Sequence, residues 1–233
     1  MGIALRSAES RGHASHGWLD TNYTFSFADY HDPAHMGYRN LRVMNDDTVK
    51  GASGFPTHGH ANMEIITYVT RGALAHKDST GGEGVIRRGD VQTMSAGTGV
   101  RHSEFNASRD EEVKLYQIWI LPQAEGLPPA YAQANFSDEE KHNKLRLLVA
   151  PKGAEGALPL NQDVRLYASV LDAGAGVSYP LKKGRGAWVQ VVDGAIDLNG
   201  VAMKSGDGAA IDDVSDLQIK AQKNSEFLLF DLN

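Results

Sequence analysis

The 233-residue sequence contains no cysteine. Disulfide bonds and thiolate metal ligands are therefore excluded, and any redox chemistry must reside on a bound metal or cofactor. Long hydrophobic runs are also missing. The best, Leu115 to Pro122, falls far short of the roughly 20 residues that a membrane-spanning helix needs. The segment MGIALRSAESRG lacks the apolar core of a signal peptide, and Arg6 stands where a myristoylation site requires serine or threonine. A soluble, cytoplasmic protein without membrane association is expected. Positive charge is in deficit: 23 Lys+Arg against 29 Asp+Glu leave a net charge of −6. That balance argues against direct nucleic-acid binding, which works by phosphate neutralisation on a basic face. The small basic clusters Arg87-Arg88 and Lys182-Lys183-Gly184-Arg185 read as solvated surface. A nucleophile elbow, a phosphate-binding glycine loop and a dinucleotide fingerprint are absent too.

Helical signals are scarce. One short helix is expected from Ser137 to about Asn143, where Ser137 and Glu140 form a capping box. Glycine, by contrast, is abundant (25 residues) and separates short apolar runs, the pattern of an all-β sandwich or barrel. Residues 63–74 read as a strand entering a turn, and 113–121 as a buried strand rich in β-branched and aromatic residues. Asn199-Gly200 marks a type I′ hairpin, and a last strand runs from Glu226 to Leu232.

The two halves of the chain look alike. In each, a strand meets a glycine (Gly72, Gly194), a hairpin follows, and a Gly-Asp pair (Gly89-Asp90, Gly206-Asp207) precedes another strand. The glycine-to-glycine gap is 17 residues in the first copy and 12 in the second, with a longer hairpin tip around Gly81-Gly82 to absorb the difference. A duplicated β-domain is inferred.

Against this background the histidines stand out. His58 and His60 are two apart, and so are His102 and Glu104. Residues two apart on a strand share a face, so neighbouring strands could bring three imidazoles and a carboxylate to one point. That donor set suits a divalent transition metal. An isolated His-x-His pair means little and reads equally well as surface histidines; the second pair carries the argument. Glu64 is a rival ligand, sharing the face of His58 and His60 only if the strand has no bulge.

Gly54-x-x-x-His58-x-His60-x-x-x-Glu64 followed by Gly72 resembles the first cupin motif, and Gly89 through Ser95-x-Gly97, then His102-x-x-x-Asn106, the second. Two departures, Ser95 in place of proline and His102 two residues late, fit one branch. RGHASHGWLDTNYTFSFADY (11–30), HGHANMEIITYV (58–69) and MSAGTGVRHSEFN (94–106) resemble bacterial pirin-like proteins. The resemblance implies two tandem cupin (double-stranded β-helix) barrels: residues 1–130 carrying the metal, and 131–233 comprising a linker helix and a barrel without ligands. It implies His58, His60, His102 and Glu104 as ligands, with Glu64 outside. Independently, the last histidine is His142, so the second barrel has none.

The resemblance further implies a dioxygenase of the quercetin 2,3-dioxygenase type, with a small-molecule substrate and dioxygen; Glu104, as a metal-bound carboxylate within reach of the substrate hydroxyl, is the candidate catalytic base. Iron(II) is favoured, with nickel, copper, manganese, cobalt or zinc as alternatives; four protein ligands would saturate a tetrahedral zinc and leave it structural. The other reading is a metal-dependent regulatory protein, similar to pirins described as transcription cofactors, acting through a protein partner. A monomer is expected. Among the remaining residues, His13 and His16 read as an N-terminal loop packed on the barrel, and Tyr23, Phe25 and Phe27 as strand core. Trp18 and Phe105 are candidates for a pocket mouth. Asp46-Asp47 and Asp212-Asp213 read as turns, and SAGTG (95–99) as a turn that presents His102.

Overall fold

The computed structural model describes residues 2–233, and nearly all of its regular structure is strand. Strand β1 (Ile3–Arg6) is followed by β2 (Gly12–Ser15), β3 (Leu19–Tyr23), β4 (Leu41–Val49), β5 (Gly54–His60), β6 (Glu64–Arg71), β7 (Ala73–Asp78), β8 (Glu83–Arg87), β9 (Asp90–Ser95), β10 (Val100–Asn106), β11 (Val113–Ile120) and β12 (Ala130–Asn135). The one α-helix among the described residues, α1 (Asp138–Lys141), is then followed by β13 (Arg146–Pro151), β14 (Leu158–Leu160), β15 (Val164–Leu171) and β16 (Gly176–Pro180). The chain closes with β17 (Gly186–Asp193), β18 (Ala195–Leu198), β19 (Val201–Lys204), β20 (Gly208–Ile211), β21 (Asp216–Ala221) and β22 (Ser225–Leu232).

Two compact units result, and both expected barrels are present. The first comprises residues 12–135 and 158–162. Its sheets have the orders β12-β9-β6-β11-β4-β3-β2 and β5-β10-β7-β8. Leu19, Val49, Val69, Leu74, Ile86, Val113 and Leu115 pack between them at one end. The second unit comprises the described residues up to Arg11 together with 136–157 and 163–233. The order β1-β20-β17-β22-β15-β13 runs through its larger sheet, and β16-β21-β18-β19 forms the smaller. Placing 1–130 in one barrel therefore misses a detail at each end. Residues 2–11 go with the second unit because β1 pairs along its whole length with β20, Ile3 against Ile211 through Arg6 against Gly208. Residues 131–135 go with the first because β12 pairs with β9.

The turn chemistry accounts for the local folds. Gly72 and Gly194 have φ of +75° and +84°, and a Cβ at either would strike the backbone carbonyl of Glu112 or Asn224, just ahead of β11 and β22, at 2.7 and 2.3 Å. Only glycine serves there. Asn199 (φ +48°) and Gly200 (φ +87°) join β18 to β19 with both central residues left-handed, as a type I′ turn requires. The Ser137–Glu140 capping box is formed, but α1 ends at Lys141, with His142 already extended at its C-cap.

Candidate metal centre

Strands β5 and β10 lie side by side in the first barrel, with His58 opposite His102 and His60 opposite Val100. A bulge between His102 and Glu104 shifts the register so that Glu104 faces Phe55. The three imidazoles converge. His58 Nε2 and His102 Nε2 are 3.0 Å apart, and the three rings lie 4.4–4.9 Å from one another. One nitrogen from each of His58, His60 and His102 falls within 4.8 Å of the others, and His102 forms a second such group with His76 and Glu104.

The electrostatics suit a cation. Burial, reinforced by His58, pulls His60 down to about 4, and burial with the neighbouring histidines pulls His102 down to about 3. Both imidazoles are thus neutral at pH 7, with lone pairs to offer. Glu104 is buried, and burial pushes its carboxyl up to about 7 against the opposing Gln117 hydrogen bonds. Gln117 Nε2 donates to both carboxylate oxygens at 3.2 and 3.0 Å, and Thr67 Oγ1 donates to Gln117 Oε1 at 3.4 Å. No lysine or arginine lines the cavity that contains these groups. Three imidazoles and a carboxyl group without a cationic partner are a donor set that a divalent ion completes. His58 Nδ1 lies 2.9 Å from the Pro56 carbonyl, which orients its Nε2 inward.

The cavity encloses about 80 Å³ and is walled by Phe27, Phe55 and Trp119, with Asn45 and Asp47 also in its lining. Trp119 packs edge-on against His60 (4.8 Å) and against Phe27 (5.2 Å). Three sequence expectations are corrected here. Asp46-Asp47 is no turn: both lie inside β4 and are buried, and burial beside Asp46 and Glu104 pushes Asp47 up to about 7. Phe27 lies beyond β3 and walls the cavity rather than continuing a core stripe with Tyr23 and Phe25, which are buried. Trp18 and Phe105 do not line it; Trp18 braces Phe55 from behind (5.1 Å), and Phe105 is exposed.

Glu64 is engaged elsewhere. It is buried and accepts hydrogen bonds from Ser95 Oγ (2.6 Å) and from Asn161 N and Nδ2 (3.2 and 3.3 Å). His13 and His16 are exposed, and His13 pairs with Asp20. The SAGTG segment is a turn leading into β10, with Gly97 at φ +47°. Sequence reasoning missed His76 and Asp78, both fully buried at their side chains and 3.1 Å apart. Their signal was present: His76-x-Asp78 is a third pair with strand spacing.

Comparison with known proteins places this geometry. The pirin family model matches residues 4–120, and a quercetinase C-terminal cupin domain matches 147–232. The chain is 45% identical over 230 residues to the quercetin 2,3-dioxygenase of Escherichia coli (strain K12), covering 99% of this chain and 98% of that one. It is 40% identical over 230 residues to a pirin-like protein of Caulobacter vibrioides, covering 98% and 99%. The crystal structure of YhhW from Escherichia coli superposes with a TM-score of 0.95 at 45% identity, covering 99% of this chain and 97% of that chain. A further structure, of bacterial pirin YhhW from Escherichia coli in complex with nickel(II), gives 0.94 at the same identity, covering 99% and 98%. On these matches and on its paired barrels, this chain belongs to the pirin family.

Proposed function

We propose that the protein is a metal-dependent dioxygenase of the quercetin 2,3-dioxygenase type, acting on a flavonol or related enediol-like substrate. The observation that carries this reading is the convergence of His58, His60 and His102 beside a buried Glu104 in an aromatic-walled cavity. These four residues would hold the ion. Iron(II) is the proposed ion; nickel(II), found in YhhW, suits the same nitrogen and oxygen donors. When bound, the ion supplies Lewis acidity at the substrate oxygen and open positions where substrate and dioxygen can meet.

The chain's own groups do the rest. Phe27, Phe55 and Trp119 offer flat apolar walls to an aromatic ring. The enclosed 80 Å³ is well below the roughly 300–1,000 Å³ of pockets that swallow a drug-sized ligand. Only the hydroxy-keto edge of a flavonol enters, and its remaining rings lie across the mouth. Glu104 then acts as the catalytic base: its carboxylate oxygen takes the proton of the substrate 3-hydroxyl, leaving the electron pair on the substrate oxygen. Gln117, clamped by Thr67, keeps both carboxylate oxygens in place. Overall, one dioxygen is added to the flavonol and carbon monoxide is released, leaving a depside.

The test is oxygen uptake by purified iron-loaded protein with quercetin, alongside His60→Ala. Turnover by the wild type and none by the variant is expected. Equal turnover by both would sink the mechanism. Absence of turnover by a metal-replete wild type would move the role to metal-dependent binding of a protein partner.

A further inference from the structure

Beside the centre lies a buried polar chain, outside the cavity lining, that the proposed reaction does not use. His102 Nδ1 is 3.5 Å from His76 Nδ1, His76 Nε2 is 3.1 Å from Asp78 Oδ2, and the His76 and Asp78 side chains have no exposure to solvent. The other carboxylate oxygen, Asp78 Oδ1, accepts from Thr80 N (2.7 Å), Thr80 Oγ1 (2.6 Å) and Gly82 N (3.0 Å). The His76 ring is stacked on Tyr131 at 5.0 Å.

We propose that Asp78 and His76 form a relay that fixes the proton of His102 on Nδ1 and thereby keeps its Nε2 bare for the ion. They are positioning residues for the metal centre, and the proposal rests on His102 being a ligand. The donor order follows from one end. Asp78 as a carboxylate only accepts, so the facing His76 nitrogen, Nε2, carries hydrogen. His76 Nδ1 is then an acceptor, and the nitrogen facing it, His102 Nδ1, must donate. The proton on His102 is thereby excluded from Nε2, which faces His58 Nε2 at 3.0 Å. Ligating histidines commonly have their second nitrogen fixed in this way by a carboxylate or carbonyl. Pro56 does so directly for His58; here a second imidazole stands between ligand and carboxylate.

The second barrel supplies an independent argument. Counting from Gly72 and Gly194, His76 corresponds to Leu198 and Asp78 to Gly200, the turn itself. The five extra residues of the first hairpin (a gap of 17 against 12) therefore carry β7 two residues further and build the Asp78-Ser-Thr-Gly-Gly tip that clamps the carboxylate. The tip is tied to β10 as well, since Ser79 N donates to the Arg101 carbonyl and Arg101 N to Ser79 Oγ. A Cβ at residue 82 would sit 2.2 Å from Asp78 Oδ2.

The test uses Asp78→Asn, His76→Leu and Gly82→Ala, each compared with wild type in full-length protein. Zinc affinity is read by chelator competition, and ring proton positions by nitrogen-15 spectra of the zinc-loaded protein. In Asp78→Asn the side-chain amide can donate to His76, reversing the chain and setting two N–H groups against each other. All three variants are expected to lose about 10- to 100-fold in zinc affinity. Wild type should show hydrogen on His102 Nδ1 and His76 Nε2, and Asp78→Asn should lose that pattern. Thermal unfolding of the metal-free proteins separates this effect from a folding defect. Variants that bind zinc as tightly as wild type, or a wild type with hydrogen on His76 Nδ1, would overturn the relay. A wild type that takes up no metal would overturn the ligand assignment beneath it.

Discussion

Aligning the barrels on Gly72 and Gly194 pairs Thr67 with Val189 and His76 with Leu198, and the strand ladders extend the match. Thr67 faces Gln117 across one ladder as Val189 faces Leu229 across the other. His76 faces Glu104 as Leu198 faces Ile219. His58 faces His102 as Tyr179 faces Leu217. Thr67, His76, His102, Glu104 and Gln117 of the first barrel thus correspond to Val189, Leu198, Leu217, Ile219 and Leu229, all buried in one apolar core. One backbone plan carries two interiors. Hydrophobic burial holds the second barrel together, whereas the first gives up that contribution at its centre and buries polar groups that need partners. The difference shows that this backbone plan closes as well on an apolar interior as on a polar one.

The largest expected effect comes from erasing the difference. His102→Leu with Glu104→Ile, which installs the residues of the second barrel, should reduce bound metal to background by elemental analysis and abolish oxygen uptake. The metal-free fold should lose about 1–3 kcal/mol by denaturant unfolding, because Gln117 Nε2 and His76 Nδ1 are left buried without their partners. The reverse change, Ile219→Glu, should cost several kcal/mol by denaturant unfolding, because a lone carboxyl placed among Leu198, Leu217 and Leu229 lacks the Gln117 amide that serves Glu104. A tolerated Ile219→Glu would mean that the second barrel retains polar support, and the contrast would weaken.

How much of this was legible in the sequence follows from the same contrast. The pairs His58/His60 and His102/Glu104 could be picked out because strand spacing puts side chains two residues apart on one face, and they still converge although a bulge between His102 and Glu104 shifts the register against β5. The glycines at 72 and 194 and the Asn199-Gly200 turn announced the duplication because their backbone angles admit few other residues. Asp46-Asp47 misled for a physical reason. Consecutive acidic residues normally mark solvent; here Asp47 lines the cavity of the first barrel, while Asp46, on the other face of β4, is buried beside Lys114. The cavity walls were equally hidden, since Phe27, Phe55 and Trp119 come from three separate segments whose meeting depends on long-range pairing. The partner of β1, some 200 residues away at β20, left no local trace.

A smaller effect isolates what burial of acid costs the first barrel. Asp47 is held at about 7 in the fold, chiefly by burial, against 3.8 as its ordinary value. The folded state therefore binds the proton more tightly than the unfolded chain. Its stabilising contribution is complete below pH about 4 and is lost as pH rises toward 7. Asp47→Asn removes that loss. Unfolding of the metal-free variant should show a gain of up to about 4 kcal/mol over wild type at pH 8 and little change at pH 4. Equal effects at the two pH values would show that the residue is not protonated in the fold.

The smallest effect concerns the two hairpin tips. Asn199 occupies a left-handed position and ties the short tip of the second barrel to β21, accepting from Gln218 N at 2.6 Å and donating to the Asp216 carbonyl at 2.9 Å. Asn199→Ala loses both contacts and adds strain at φ +48°, so unfolding should be easier by about 1 kcal/mol. Zinc affinity should not move, because this tip holds only its own sheet. A matching change in the first barrel, at Gly82, should do the opposite and weaken zinc more than it weakens the fold. If Asn199→Ala lowered zinc affinity as much as Gly82→Ala, the longer tip would have no special tie to the centre, and its five extra residues would be a difference in length alone.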